Sequence, residues 1–297
     1  MSRLEVVVAA LGRSLHSTVG IVLVAVVWIG ACGRQPALLR QIEKLGLVNN
    51  IQHRLLESVD AEKSAVLAVT DEESKEFAAQ SKRSAEEIDG LKAQLAALIT
   101  EDARPDEREK LATFDAKWND LKAIDVRLLG LAVANTNLKA AHLAAREGSA
   151  ALDRFIASVD LMTLACSDIA VVRSLAKAAT AVARIHSLLF VHIPEASDVE
   201  MTTIEARIRE LSGMVDTALR EAGPSVPSTA SAAAADAAQA WTEYQRIVAE
   251  VIRLSRLNTN VISFDVSTHE KRTATEVCLK ALTDLRAAIQ GGPYATR

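Results

Sequence analysis

Aromatic side chains are scarce in this sequence, at 3% of 297 residues, while hydrophobic residues as a whole make up 49%. A core with so few rings is filled by aliphatic side chains and alanine. That suits helices packed side by side, and it offers little to the pleated surfaces that aromatic and β-branched residues favour in strands. Proline is rare too. Pro36, Pro105, Pro194, Pro224, Pro227 and Pro293 all fall outside the periodic segments, as expected if proline in a helix interior costs about 3 kcal/mol. Three cysteines are too few for a disulfide-built scaffold. A net charge of −4 leaves no basic footprint, which excludes nucleic acid as the expected partner.

Reaction chemistry is missing as well. The histidines, at 16, 53, 142, 186, 192 and 269, are scattered. His186 and His192 are six apart and do not share a helix face, and "HEKR" lacks the second histidine of a zinc motif. There is no glycine-rich phosphate loop, no nucleophile elbow and no Glu-x-x-His pair of the di-iron kind. The sequence assigns no catalytic residue, no metal ligand and no cofactor, and it reads as a protein other than an enzyme.

What is present is helical periodicity. In "LATFDAKWNDLKAIDVRLLGL", Leu111, Phe114, Trp118, Leu121, Ile124, Leu128 and Leu131 recur every three or four residues and draw one stripe down a helix. Trp241, Tyr244, Ile247, Val251 and Leu254 repeat that stripe. No stretch of comparable length alternates with period two, so essentially no sheet is expected.

The second stripe follows the first at a fixed offset. The triplet Asn135-Thr136-Asn137 returns as Asn258-Thr259-Asn260, 123 residues later, and the same offset takes Trp118 to Trp241, Gly90 to Gly213, Ser74 to Ser197, Glu87 to Glu210 and Glu147 to Glu270. No gap is needed, which predicts two copies of one unit. Asn tolerates the left-handed conformation that ends a helix and is also a strong N-cap, so each triplet is expected to close one helix and open the next. "TDEE" at 70–73 is a capping box, and Pro194 takes the place of Asp71 at the first helical position.

Each copy therefore reads as an up-and-down four-helix bundle. The expected fold is all-α, with a first bundle over 35–165, a second over 166–290 and a tail over 291–297. Helices are placed near 38–69, 71–100, 107–134, 138–165, 166–192, 194–222, 230–257 and 261–290. An unbroken helix over 138–193 would be roughly 84 Å long and would stack the bundles end to end. A kink at "ACSD", 165–168, would lay them side by side, and both arrangements stay open. Glycine in a helix interior costs about 1 kcal/mol relative to alanine, so Gly90 and Gly213 suggest a close helix crossing in each copy. Cys166 and Cys278 are offset by roughly 15 Å along antiparallel helices in this scheme, which favours buried thiols over a disulfide.

The first 33 residues are a different object. "STVGIVLVAVVWIGAC" lies within the 20 residues between Arg13 and Arg34, just long enough to span a bilayer core of about 30 Å. Ile29, Gly30 and Ala31 precede Cys32 as in a lipobox, making Cys32 the candidate lipid-attachment residue. A lipoprotein signal and an uncleaved transmembrane anchor both remain open. Either one attaches the chain to a membrane and places the helices outside the cytoplasm, on the periplasmic face of a bacterial membrane.

The apolar segment leading into "LLESVDAEKSAVLAVTDEESKEFAAQSKRSAEEI", then "KWNDL" and "LAVANTNLKAAHLAAREGSAALDRF", resembles the four-helix-bundle ligand-binding domain of bacterial methyl-accepting chemotaxis receptors. Asn135 to Asn137 stand in the turn between that family's third and fourth helices, with the alanine-rich sequence after it. The resemblance covers most of 38–165 and, more weakly, the second copy. It implies a sensory module that binds a small ligand or a receptor or kinase partner, and a homodimer. The family continues into a second membrane span and a cytoplasmic signalling coiled coil, whereas this sequence ends at "IQGGPYATR" without another apolar run, so the expectation is a sensing module detached from its output. A structural or surface lipoprotein serving as a spacer is the alternative.

These two readings differ in their core layers. A ligand-binding bundle should carry inward-facing charged or hydroxyl residues in one layer, and a spacer should be apolar throughout. Asp125, where copy two has Val248, is the sort of asymmetry a ligand site shows, although a solvated flank is the plainer reading of it. No ligand-binding residue is assigned.

Overall fold

The computed structural model describes residues 37–102 and 104–291. Among them every regular element is helical and none is a strand, so the chain is an all-α helical bundle. The segment over 1–33 with Cys32, and the tail beyond 291, lie outside the described residues. Helix α1 spans 37–67, followed by α2 (Asp71–Asp102), α3 (Pro105–Ala134), α4 (Thr136–Leu143), α5 (Ser149–Ala165), α6 (Ile169–His192), α7 (Asp198–Ala222), α8 (Ser231–Leu257), α9 (Thr259–Val266) and α10 (Arg272–Gln290). A five-residue π turn, Ala144–Gly148, joins α4 to α5, and another, Ser267–Lys271, joins α9 to α10.

Local chemistry sets the helix starts. Thr70 Oγ1 accepts the Glu73 N–H at 3.1 Å, and Asp71, Glu72 and Glu73 place negative charge at the positive end of α2. Pro105 opens α3, where its missing N–H costs nothing. The seventh helix starts four residues later than the expected 194. Ser197 is its N-cap and accepts the Glu200 N–H at 3.4 Å, while Glu195 accepts the Ser197 N–H and holds the preceding turn. Ser-x-x-Glu is the stronger start signal here.

The unbroken helix over 138–193 does not form. Cys166 is extended, and Asp168 restarts the chain by accepting the Ala170 N–H at 2.8 Å. Cys166 is a free thiol in this break. Neither Gly90 nor Gly213 marks a close crossing, because a Cβ added at either would meet nothing within 4 Å.

The chain divides into two compact units whose membership differs from 35–165 and 166–290. The first takes its described residues from stretches ending at Val59, from Ser81–Lys122 and from Thr273 onward, and the second comprises Asp60–Gln80 and Ala123–Arg272. In the core of the first unit, Ile51, Leu55, Ile88 and Trp118 pack with Leu282, Leu285 and Ile289 of α10. Lys44 is buried against Glu107, with Nζ to Oε2 at 2.6 Å, and also pairs with Asp102. Trp118 donates to Asp89 at 2.8 Å. The core of the second unit is built mainly from α5, α6, α7 and α8, with Phe155, Leu175, Leu211 and Tyr244 among its members. The helix after each Asn-Thr-Asn triplet therefore does not fold back on the three before it, as an up-and-down bundle requires. A repeating apolar stripe does not name the stripe it will face, so the sequence left this pairing open. Helix α6 is long and apolar enough to cross a membrane by length and composition, yet Leu175, Val182, Ile185 and Leu189 put its apolar side into this core.

Candidate functional site

The two Asn-Thr-Asn triplets meet inside the second unit. Asn135 and Asn258 are left-handed, with φ of 49° and 51°, and they are the non-glycine residues of positive φ among those described. Neither side chain caps its own helix, contrary to expectation. Each triplet caps the other instead. Thr136 N–H donates to Thr259 Oγ1 at 3.0 Å and Thr259 N–H to Thr136 Oγ1 at 3.2 Å, while the Asn137 and Asn260 amides donate to each other's Oδ1 at 3.1 Å. Asn137 Nδ2 donates to Asn258 Oδ1, and Asn260 Nδ2 to Asn135 Oδ1, both at 2.8 Å. Buried amides at two helix starts are satisfied by this clasp.

A buried polar layer lies in the same unit. Asp125 of α3 is only 7% exposed, which corrects its reading as a solvated flank, and it is bonded to the ammonium of Lys271. The π turn Ser267–Lys271 supplies both Lys271 and the buried Ser267, an irregularity often found at functional positions. Glu62 of α1 completes the layer at 0% exposure. Neither of its carboxylate oxygens has a hydrogen-bond partner, and the nearby Ser267 hydroxyl does not reach ordinary bonding geometry. Burial pushes the Glu62 carboxyl up, with the Ser267 hydroxyl and Lys271 opposing and Asp125 reinforcing. Burial pushes Asp125 up as well, opposed by Lys271. At the offset of 123 the corresponding residues are Ile185, Val248, Ala144 and Gly148, of which Ile185, Val248 and Ala144 belong to the apolar core. The layer is polar at one place and apolar at its counterpart.

The other π turn, Ala144–Gly148, ends next to Ser149, which belongs to another polar group. His186 contacts the Tyr244 hydroxyl through Nδ1 at 3.2 Å and Ser149 Oγ through Nε2 at 3.3 Å. Burial lowers the His186 pKa, opposed by Asp153, and raises that of the Tyr244 hydroxyl strongly. Both groups are thus favoured uncharged.

Sequence reasoning missed one further arrangement. His192 bonds Glu205 Oε1 through Nε2 at 3.0 Å and Ser255 Oγ through Nδ1 at 2.8 Å. A carboxylate, imidazole and hydroxyl in a row can activate a nucleophile. Here His192 and Ser255 are both 0% exposed, Ser255 Oγ donates to the His192 carbonyl at 3.0 Å, and Arg256 Nε occupies the same Glu205 oxygen at 2.6 Å. A substrate has no approach to the hydroxyl, and the chain ties α6, α7 and α8 together. Helical spacing conceals it, because its members lie on three different helices.

Two shallow surface grooves sit over the glycines. One of about 450 Å³, in the first unit, is lined by Arg54, Glu87, Gly90 and Leu91. The other, of about 340 Å³, lies in the second unit and is lined by Lys177, Glu210, Gly213 and Met214. Arg54 Nε is paired with Glu87 at 2.7 Å. Among the described residues no group of three or more His, Cys, Asp or Glu is placed to hold a metal. No family model, curated protein or solved structure matches this chain.

Proposed function

We propose that this protein is a membrane-attached, extracytoplasmic helical module that acts by binding rather than by catalysis, in the manner of a chemoreceptor sensory bundle whose signal is read by a separate receptor or kinase. The observation that carries the reading is the layer formed by Glu62, Asp125, Ser267 and Lys271. Burying two carboxylates, an ammonium and a hydroxyl is costly unless all are paired, and Glu62 is not paired. A purely structural spacer gains nothing from such a layer, and at the corresponding positions the same chain does without one. Attachment rests on the apolar run before Cys32, and the sensory character on the resemblance at 38–165.

The test is a thermal-shift screen of the full-length chain against amino acids, organic acids and small aromatics. A ligand at a hundredfold excess over its Kd stabilises the fold by about 2.7 kcal/mol. A hit weakened by Asp125→Asn but unmoved by Glu210→Gln supports binding at the layer. A screen without hits, together with no receptor or kinase recovered by cross-linking in cells, leaves the spacer as the better account.

A further inference from the structure

Glu62 is the member of the layer whose charge its neighbours leave unanswered. From the π turn, Lys271 faces it with an ammonium already committed to Asp125, and Ser267 faces it with a hydroxyl. From α3 comes Asp125, a second negative charge. The buried position on α2 between the contacts Ser74–Ala65 and Ser81–Ser58 is Ala78, which is uncharged. On its own helix, Lys63 is exposed. At the surface, Arg127 and Glu270 pair with each other. Two carboxylates thus share one buried ammonium, and ionising both leaves one negative charge with no donor on either oxygen.

We propose that Glu62 is a proton-binding site that couples packing of this layer to the pH outside the cell. With the proton bound, Glu62 is neutral and gains an O–H that can donate to the facing Ser267 hydroxyl oxygen, and the layer closes dry. When the proton leaves to water, the carboxylate finds only the Ser267 hydroxyl and an ammonium already committed to Asp125, too few donors for a buried charge, so α1, α3 and the Ser267–Lys271 turn part to admit water. The physiological meaning rests on the sensory reading given above, whereas the chemistry does not.

The direction of the coupling follows from burial. A carboxyl raised in the folded state contributes stability that is present below its unfolded value and is lost as pH rises through its folded value. The layer is therefore tight in acid and loosens toward neutral and alkaline pH.

Hydrogen exchange of the full-length chain, followed at residues 60–66 and 262–272 with the intrinsic rate divided out, tests this. In the wild type the opening constant should rise up to tenfold per pH unit across the window in which Glu62 ionises. Glu62→Gln should hold both segments at their acid level of protection at every pH. Asp125→Asn, which removes the competing carboxylate, should move the transition to lower pH without abolishing it. Protection that is flat with pH in the wild type, or a Glu62→Gln variant that titrates as the wild type does, overturns the proposal. If the transition is absent and the small-molecule screen still gives a hit sensitive to Asp125→Asn, proton coupling falls while the sensory reading stands. If the transition is present and the screen is empty, the proton is the layer's own ligand.

Discussion

Single residues show which features of a sequence speak for themselves. Asn135 and Asn258 were legible because few residues accept φ near 50°, and the structure finds both there. Replacing Asn135 with alanine should cost about 1–2 kcal/mol in a denaturant titration, from the left-handed backbone and from the lost acceptor of Asn260 Nδ2. Gly90 and Gly213 were misleading, since a helix-interior glycine suggests a crossing that the space around them does not contain. With a helical backbone and nothing in the way, Gly90→Ala and Gly213→Ala should each raise stability by about 0.5–1 kcal/mol, visible as a higher melting temperature. Asp125 was legible as an asymmetry but its burial was not, because Glu62 and Lys271 come from other helices. Cys32 is tested separately: if it is acylated, a palmitate analogue labels the chain and Cys32→Ala removes the label, whereas an unlabelled, full-length, membrane-bound wild type marks an uncleaved span.

At the scale of elements, periodicity located the helices and local capping chemistry corrected their ends. The break at 166–168 was one of two outcomes the sequence left open, and Asp168 as an N-cap decides it. The π turns were not legible, since no residue type requires a widened turn. The junction of α6, α7 and α8 depends on Glu205, whose carboxyl is held below its ordinary range by the hydrogen bond from Arg256, opposed by burial and helped by His192. A carboxyl lowered in the folded state contributes stability above its unfolded value and loses it as pH falls through its folded value. Acid should therefore loosen this junction, the opposite sign to the Glu62 layer. Arg256→Ala should flatten that acid limb and cost about 1 kcal/mol at neutral pH, a modest figure because the guanidinium is partly exposed, and pH-dependent thermal melts measure both effects.

For the whole molecule, what remained hidden was which helices pack together. The stripe of Trp118, Leu121 and Ile124 recurs in Trp241, Tyr244 and Ile247, and stripes this alike let a helix satisfy its apolar side against either set of partners. The mutual capping of the Asn-Thr-Asn triplets is the local contact that accompanies the arrangement found. Truncation separates the two pairings with opposite outcomes. Removing 272–297 deletes α10 and with it Leu282, Leu285 and Ile289 from the core of the first unit. If α10 belonged to a bundle over 166–290, exchange protection would be lost in α6, α7 and α8, and the stretches 37–59 and 81–122 would keep theirs. The packing described here requires the reverse. Residues 37–59 and 81–122 should lose protection, because three helical stretches cannot cover the apolar faces that four had buried, each large aliphatic removed costing about 2–5 kcal/mol. Residues 150–250 should keep theirs, since no side chain of α10 belongs to the core that Phe155, Leu175, Leu211 and Tyr244 share.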